Sequence, residues 1–397
     1  MSGARIVLCL NGGSSSLKFA LFALDAAGEK KIASGAVERI GGEGGRFWMR
    51  AEEGSVALER RDRFADHDAA VRATLDAVTR GNLPRPDAVG HRVVHGGPKL
   101  VAPHRIDAAL VDALRRAVPF APLHLPSEIR AIEAALELYA GVPQVACFDT
   151  AFYRDLPEIA RRFPLPRALH DQGIRRYGFH GLSYEYVTDL LGPELGARAV
   201  LAHLGNGASL TALRDGAPID TTMGLTPTGG IMMGTRSGDL DPGVLFHLLG
   251  AGQGAGELEQ LVNRESGLRG VSGTTSDMKT LLERRAKDER AALAFEMFSY
   301  HARKAIGSLA AALGGLDTLV FTGGIGQGAA PVRERICAGL EFLGVHLDRE
   351  RNRASNDVIS ADKSRCAVRV VRTDEEIVIA RHACRLLFAE RRGELSV

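Results

Sequence analysis

The sequence predicts an α/β protein of two domains that repeat one core, and three observations predict it. First, an apolar run at residues 6–10 leads into the polar octet Asn11-Gly12-Gly13-Ser14-Ser15-Ser16-Leu17-Lys18 and then into a second apolar run at residues 19–22, which reads as a β-hairpin on a Gly/Ser turn. Second, the pattern returns roughly 190 residues later, where residues 199–213 read strand, Gly/Asn/Ser turn, strand. Third, later apolar strands end on glycines or charged residues and alternate with helical periodicities, as in α/β sheets.

Length and composition set the bounds. A chain of 397 residues suffices for two or three domains with large cores. Its 45% hydrophobic and 25% charged residues are ordinary for a soluble globular protein. The net charge of +2 gives no electrostatic argument for nucleic acid or an anionic membrane surface. Five scattered cysteines lack CxxC or Cys/His spacing, so reduced thiols are expected rather than disulfides or a zinc site. No leader pattern opens the chain, and no apolar stretch approaches the ~20 residues of a membrane span. A cytoplasmic protein with neither membrane nor nucleic-acid partner is the expectation.

Taken in order, the first hairpin superficially matches a Walker A loop but lacks the glycine before Lys18 and the helix after it. Residues 30–37 and 47–56 read as further strands around a glycine turn at 41–45, and Asp66 caps a helix to about residue 79. Residues 88–97 read as a buried strand interrupted by Arg92, whose charge requires an anion or a carboxylate partner. His91 and His95 lie in this β-rich run with no third ligand, which argues against a metal. Helices are expected at about 107–118 and 127–140, and the strand at 142–148 delivers Asp149 at its C-terminal end, where it either caps a turn or serves a site. His180 lies in a Gly/aromatic/Arg loop. Residues 220–242 form a long loop with one cation, Arg236, among glycines and hydroxyls. Ser276-Asp277 caps a helix to about residue 285. Phe298, Ala302, Ala305, Leu309 and Leu313 mark the buried face of a helix that stops at Gly314-Gly315. A strand at 319–321 enters a glycine turn ahead of a helix at about 330–343, and the strand at 368–371 precedes the last helix, which opens on Glu375-Glu376.

In this order and spacing, the stretches NGGSSSLK (11–18), GHRVVHGG (90–97), FDTAF (148–152), RRYGFHG (175–181), HLGNGAS (203–209), MMGTRSGDLDP (232–242), FTGGIG (321–326) and EE (375–376) resemble the acetate kinase family. That family lies within the superfamily of actin, heat-shock ATPases and sugar kinases. The resemblance runs from Val7 to Ile379. It implies two domains of duplicated ribonuclease H-like (actin-like ATPase) core with an interdomain active-site cleft. The domains would be residues 1–149 plus 383–397, and residues 150–382.

The resemblance also implies roles. Asn11 and Glu375 would position Mg²⁺, with Mn²⁺ as an alternative. Ser14, Ser16, Lys18 and the turn His203-Leu204-Gly205-Asn206-Gly207 would face the phosphates of ATP or ADP. Arg92 and Arg236 would bind the carboxylate and the transferred phosphoryl group, with His180 as a further donor and Asp149 as the catalytic carboxylate. Val94, Leu123, Phe179 and Pro227 would line a methyl pocket. Asp277-Met278-Lys279 and Gly324-Ile325-Gly326-Gln327-Gly328 would adjoin the nucleoside, and the assembly would be a homodimer.

The chain departs from the family's pattern at Leu125, at Thr228-Gly229, at Lys279 and at Gln327-Gly328. Those changes bear on acyl length and phosphoryl donor more than on reaction class. The reading that follows is reversible, Mg²⁺-dependent phosphoryl transfer between ATP and acetate. The alternatives are a propionate or butyrate kinase of the same family, and a conformational ATPase of the superfamily. A carboxylate acceptor is already ionised at pH 7, so attack needs no general base and the demand is electrostatic.

Overall fold

The computed structural model describes residues 3–13, 16–51, 57–80 and 83–388. The chain divides into two units, Met1–Arg154 with Asp374–Val397, and Asp155–Thr373. All of the last helix, Glu375–Phe388, thus falls in the first unit, because it packs against that unit's strands as one piece. The sequence reading returned only residues 383–397 to that unit.

The first unit is built on a sheet of β1 (Arg5–Gly12), β2 (Ser16–Asp25), β3 (Gly28–Glu38), β4 (Gly45–Ala51), β5 (Ala57–Asp62), β6 (Ala88–Val93), β7 (His104–Arg105) and β8 (Gln144–Phe148). Its order is β5-β4-β3-β2-β1-β6-β8-β7. The first five strands form an antiparallel meander, while β6 and β8 run parallel to β1. The predicted hairpin pairs Asn11 with Lys18 and Gly12 with Leu17. Ser14 and Ser15 lie outside the described residues. Strand β4 is described to Ala51, residues 52–56 of the expected strand lie outside the described residues, and β5 was not anticipated. Its ALERRD sequence carries the charges of a sheet-edge strand, which mask strand periodicity.

Alternation along β1 sends Leu8 and Leu10 into a core shared with helices His67–Arg80 and Leu125–Leu138. The opposite face receives the last helix. Contact there is close at Gly90, where an added Cβ would stand 2.4 Å from Ile379 Cγ2. Because β1, β6 and β8 are parallel and in register, their C-terminal ends come together, and these carry Asn11-Gly12, Arg92 and the residue before Asp149.

The second unit contains β9 (Arg198–Leu204), β10 (Ala208–Arg214), β11 (Ala217–Thr221), β12 (Thr318–Thr322) and β13 (Ala367–Val370), in the order β11-β10-β9-β12-β13. Three antiparallel strands followed by two parallel ones repeat the order β3-β2-β1-β6-β8. The duplication read from two hairpins is therefore a repeat of sheet topology. Strand β11 claims the start of what reads from sequence as loop.

Helix Glu289–Leu313 packs on β9 and β10; Asp288 caps its start and Gly314, at φ 76°, ends it. Ile306 takes the core position expected of Ala305, which is only half-buried. The expected helix at 330–343 is broken up. The glycine turn is itself a helical turn, Gly323–Gly328, followed by Ala330–Cys337 with a proline in its first turn and a 3₁₀ turn at Glu341–Leu343. Gly339, at φ 93°, stops the middle helix.

Candidate active site

In the first unit, Arg92 is the centre of a polar cluster at the strand ends. Its Nε and Nη2 donate to Asp149 Oδ2 at 3.1 and 2.5 Å, and Nη1 donates to the Gly12 carbonyl at 2.7 Å. Glu375 Oε2 stands 3.9 Å from Nε. Asp149 is fully buried and the Arg92 side chain is 13% exposed. Burial works against the guanidinium charge, but Asp149 and then Glu375 more than offset it, so the pKa is raised. The carboxylate partner that the charged strand demanded is Asp149, and the two meet because β6 and β8 are neighbours.

Asn11, at the end of β1, donates from Nδ2 to Glu375 Oε2 at 2.9 Å and to Glu376 Oε1 at 2.8 Å. Glu376 was not singled out among the site residues. Burial first, and then the Glu375 charge, raise its pKa. The donor chemistry fits Mg²⁺, which takes oxygen ligands, uses one or two carboxylates and keeps waters and phosphates for the rest. Two adjacent carboxylates bridged by one amide form such a partial set. Among the described residues no cluster of three or more His, Cys, Asp or Glu side chains offers a full metal cage. Val94 is 3% exposed just beyond β6, and Leu123 is half-buried in the turn ahead of helix Leu125–Leu138. Lys18 is exposed, with Ser16 at the start of β2.

In the second unit, His180 and Arg236 converge on one glycine. A Cβ on Gly207 would lie 3.4 Å from both His180 Nε2 and Arg236 Nη1. His180 adopts a left-handed backbone, φ 59°, ahead of helix Gly181–Leu191, a conformation unusual for a residue with a side chain. Its Nδ1 pairs with Ser209 Oγ at 2.8 Å, which in turn pairs with Tyr184 OH at 2.7 Å. The ring stacks on His203 with centroids 4.3 Å apart, and His203 Nδ1 pairs with Ser183 Oγ at 2.8 Å. Arg236 Nη1 donates to the Pro227 carbonyl at 3.2 Å. Gly234 N–H donates to Asn206 O at 2.9 Å, which ties the Arg236 loop to the 203–207 turn. Phe179 is 1% exposed and Pro227 is buried.

The turn His203-Gly207 and the helical turn Gly323–Gly328 lie side by side, since β9 and β12 pair His203 with Thr322 and a Cβ on Gly323 would stand 2.6 Å from the Leu204 carbonyl. Arg333 braces the second turn by donating to the carbonyls of Gly326 and Gln327 at 2.8 and 2.7 Å. Asp277 caps helix Met278–Arg284 through the backbone N–H groups of Lys279 and Thr280, and Met278 is buried at 3% exposure, leaving Asp277 and Lys279 at the surface. At the departures, Leu125 is fully buried and the Thr228 hydroxyl donates to Asn263 Oδ1 at 2.6 Å.

Sequence reasoning missed Glu128, Ser209, Tyr184 and Arg333. Ser209 sat within a quoted motif. Glu128 and Tyr184 had no signal in spacing, because each acts on an element distant in sequence, and Arg333 reads as an ordinary helical charge until it folds back on the turn before its helix.

The sequence pattern of the acetokinase family matches residues 6–381. An acetate kinase of Rhodopseudomonas palustris is 45% identical over 397 aligned residues, covering 96% of this chain and 98% of that protein. The crystal structure of Porphyromonas gingivalis acetate kinase is 39% identical, with a TM-score of 0.84 over 96% of this chain and 100% of that one. A propionate kinase from Francisella tularensis is 35% identical, with a TM-score of 0.88 over 95% and 98% of the two chains. Given this match along nearly its whole length, with the repeated sheet order and the two polar clusters that the motifs build, the chain belongs to the acetokinase family.

Proposed function

We propose that the chain transfers the γ-phosphoryl group of ATP to acetate, reversibly, giving acetyl phosphate and ADP. The observation that carries the reading is the convergence of His180 Nε2 and Arg236 Nη1 on Gly207, two donors aimed at a glycine turn where a phosphoryl group meets only backbone. Arg92, held in plane by Asp149, binds the acetate carboxylate through its remaining donor capacity and turns an oxygen toward phosphorus. Asp149 orients Arg92 and abstracts no proton. His180 and Arg236 stabilise the charge that spreads over the equatorial oxygens during transfer. Ser209 keeps the His180 ring turned so that Nε2 faces the turn. Asn11 and Glu375 hold Mg²⁺, which neutralises phosphate charge when bound. Val94, Leu123, Phe179 and Pro227 form the methyl pocket, with Lys18, Ser14, Ser16 and the 203–207 turn on the phosphates. Asp277-Lys279 and Gly324-Gly328 adjoin the nucleoside.

An additional methylene in such a pocket is worth only about 1–3 kcal/mol. Propionate is accordingly the second acceptor, in keeping with the similarity to a propionate kinase. The test is kcat/KM for a matrix of donors (ATP, GTP, pyrophosphate) against acceptors from formate to butyrate. ATP with acetate is expected to lead, with propionate within about 200-fold. Turnover only with butyrate or only with pyrophosphate would remove that half of the reading.

The protein works as a cytoplasmic homodimer. No helix among the described residues is long and apolar enough to cross a membrane. Helix Pro242–Gly250 buries none of its residues within the chain, and Leu240, Val244, Phe246 and Leu249 are 44, 42, 71 and 45% exposed. An apolar helix of this kind is the surface a second copy would cover. Phe246→Asp is expected to give a monomer by light scattering where the unaltered chain gives a dimer. A monomeric unaltered chain would refute this.

A further inference from the structure

Beside the proposed acceptor site lies a carboxyl group to which the reaction above gives no part. Glu128, in the first turn of helix Leu125–Leu138, is 6% exposed. Its Oε2 accepts the Val94 N–H at 3.0 Å. Its Oε1 is buried and has no hydrogen-bond partner among the described residues. Gly12 packs beside it, since a Cβ there would lie in ordinary contact, 3.9 Å from Glu128 Cγ. The charges that act on it are Arg92 and Asp149.

An ionised carboxylate fits this place poorly. A buried anionic oxygen without a donor is strongly disfavoured, whereas a neutral acid that accepts one backbone N–H buries no charge and costs far less, even with its O–H unpaired. Charge at the strand ends points the same way. Arg92 already faces Asp149 at hydrogen-bond distance and Glu375 at 3.9 Å. A third ionised carboxylate would surround one guanidinium with three anions at the place where an acceptor anion must enter.

We propose that Glu128 is a positioning residue of the acceptor half-site that works as the neutral acid, holding the Val94 backbone and leaving the charge of Arg92 to the incoming carboxylate. The proposal rests on the acceptor-site reading of Arg92. Burial pushes the Glu128 carboxyl up to about 7, against the pull of Arg92 and of the Val94 N–H. Glu375 reaches Arg92 from the last helix, and His67 of helix His67–Arg80 is engaged with the Gly13 carbonyl at 2.7 Å. Asp112, Arg115 and Arg116 of helix Ala108–Ala117 are exposed.

The test uses the full chain as unaltered protein, Glu128→Gln and Glu128→Ala. Acetate KM and kcat are measured with MgATP from about pH 6 to about pH 8.5, alongside thermal unfolding without substrate. The unaltered chain should lose acetate affinity as pH rises past about 7, approaching tenfold in KM per unit, with little change in kcat. Glu128→Gln should hold the low-pH KM throughout. Glu128→Ala, which leaves the Val94 N–H unpaired, should raise KM at every pH. A raised carboxyl pKa stabilises the fold while neutral and ceases to do so as pH climbs toward the folded value. The stability advantage of Glu128→Gln over the unaltered chain should therefore open from about pH 4.5, where an ordinary carboxyl titrates, to about pH 7 and then level off. Parallel KM profiles for the unaltered chain and Glu128→Gln, or identical unfolding profiles, would overturn the proposal. An unaltered chain without acetate-dependent turnover would instead remove the acceptor reading, and the positioning role with it.

Discussion

Arg92→Ala is expected to lower kcat/KM for acetate by about 10³-fold and to destabilise the first unit by about 3–5 kcal/mol. Two independent consequences of one side chain combine in that result. Asp149 is fully buried, and removing the guanidinium strips it of the ion pair that makes its charge tolerable. The Gly12 carbonyl, at the end of β1, loses its donor as well. Arg92→Lys should recover part of the stability and little of the rate, because an ammonium restores the charge but not the planar fork that addresses Asp149 and Gly12 together. Denaturant unfolding monitored beside kcat/KM separates the two effects. Normal stability in Arg92→Ala would contradict the structural half of this account, and near-normal acetate kinetics the functional half.

Arg236→Ala is expected to lower kcat by about 10³-fold with acetate KM changed much less. Arg236 aims Nη1 at the glycine turn that His180 also faces, so in the proposed reaction its charge would act where negative charge grows during transfer. Its backbone ties down the loop, since Arg236 O accepts from Met233 N at 3.1 Å, and its side chain adds the donation to the Pro227 carbonyl at 3.2 Å. The variant should keep the backbone tie and lose about 1 kcal/mol of stability with the side-chain bond. A variant that lost acetate binding while retaining kcat would move Arg236 from the phosphoryl group to the acceptor.

The contrast between these residues shows what the sequence could carry. A glycine-rich hairpin is a local object, so its two copies and the duplicated core were legible from residue type and spacing alone. A charge inside an apolar strand is also a local anomaly, and the rule that buried charge needs a partner leads from Arg92 to an anion or a carboxylate. Which carboxylate was not local. Asp149 reaches Arg92 only because β8 pairs with β6, and Asn11 meets Glu375 and Glu376 across more than 360 residues of chain. Glu128 gave no signal for the same reason: it reads as an ordinary acidic residue in a helical first turn until the sheet places Val94 against it. Strand β5 was hidden by its charges, and the helix beyond Gly328 was cut short ahead of Gly339, whose effect depends on where the chain must turn.

The central claim is that both polar clusters serve phosphoryl transfer to a carboxylate, and trapping the product tests it most directly. The full chain incubated with MgATP, acetate and hydroxylamine should form acetyl hydroxamate and ADP in equal amounts. Without acetate, ADP formation should fall to a small fraction. ADP released at the same rate with or without acetate, and with no hydroxamate, would contradict the account and leave an ATPase in its place.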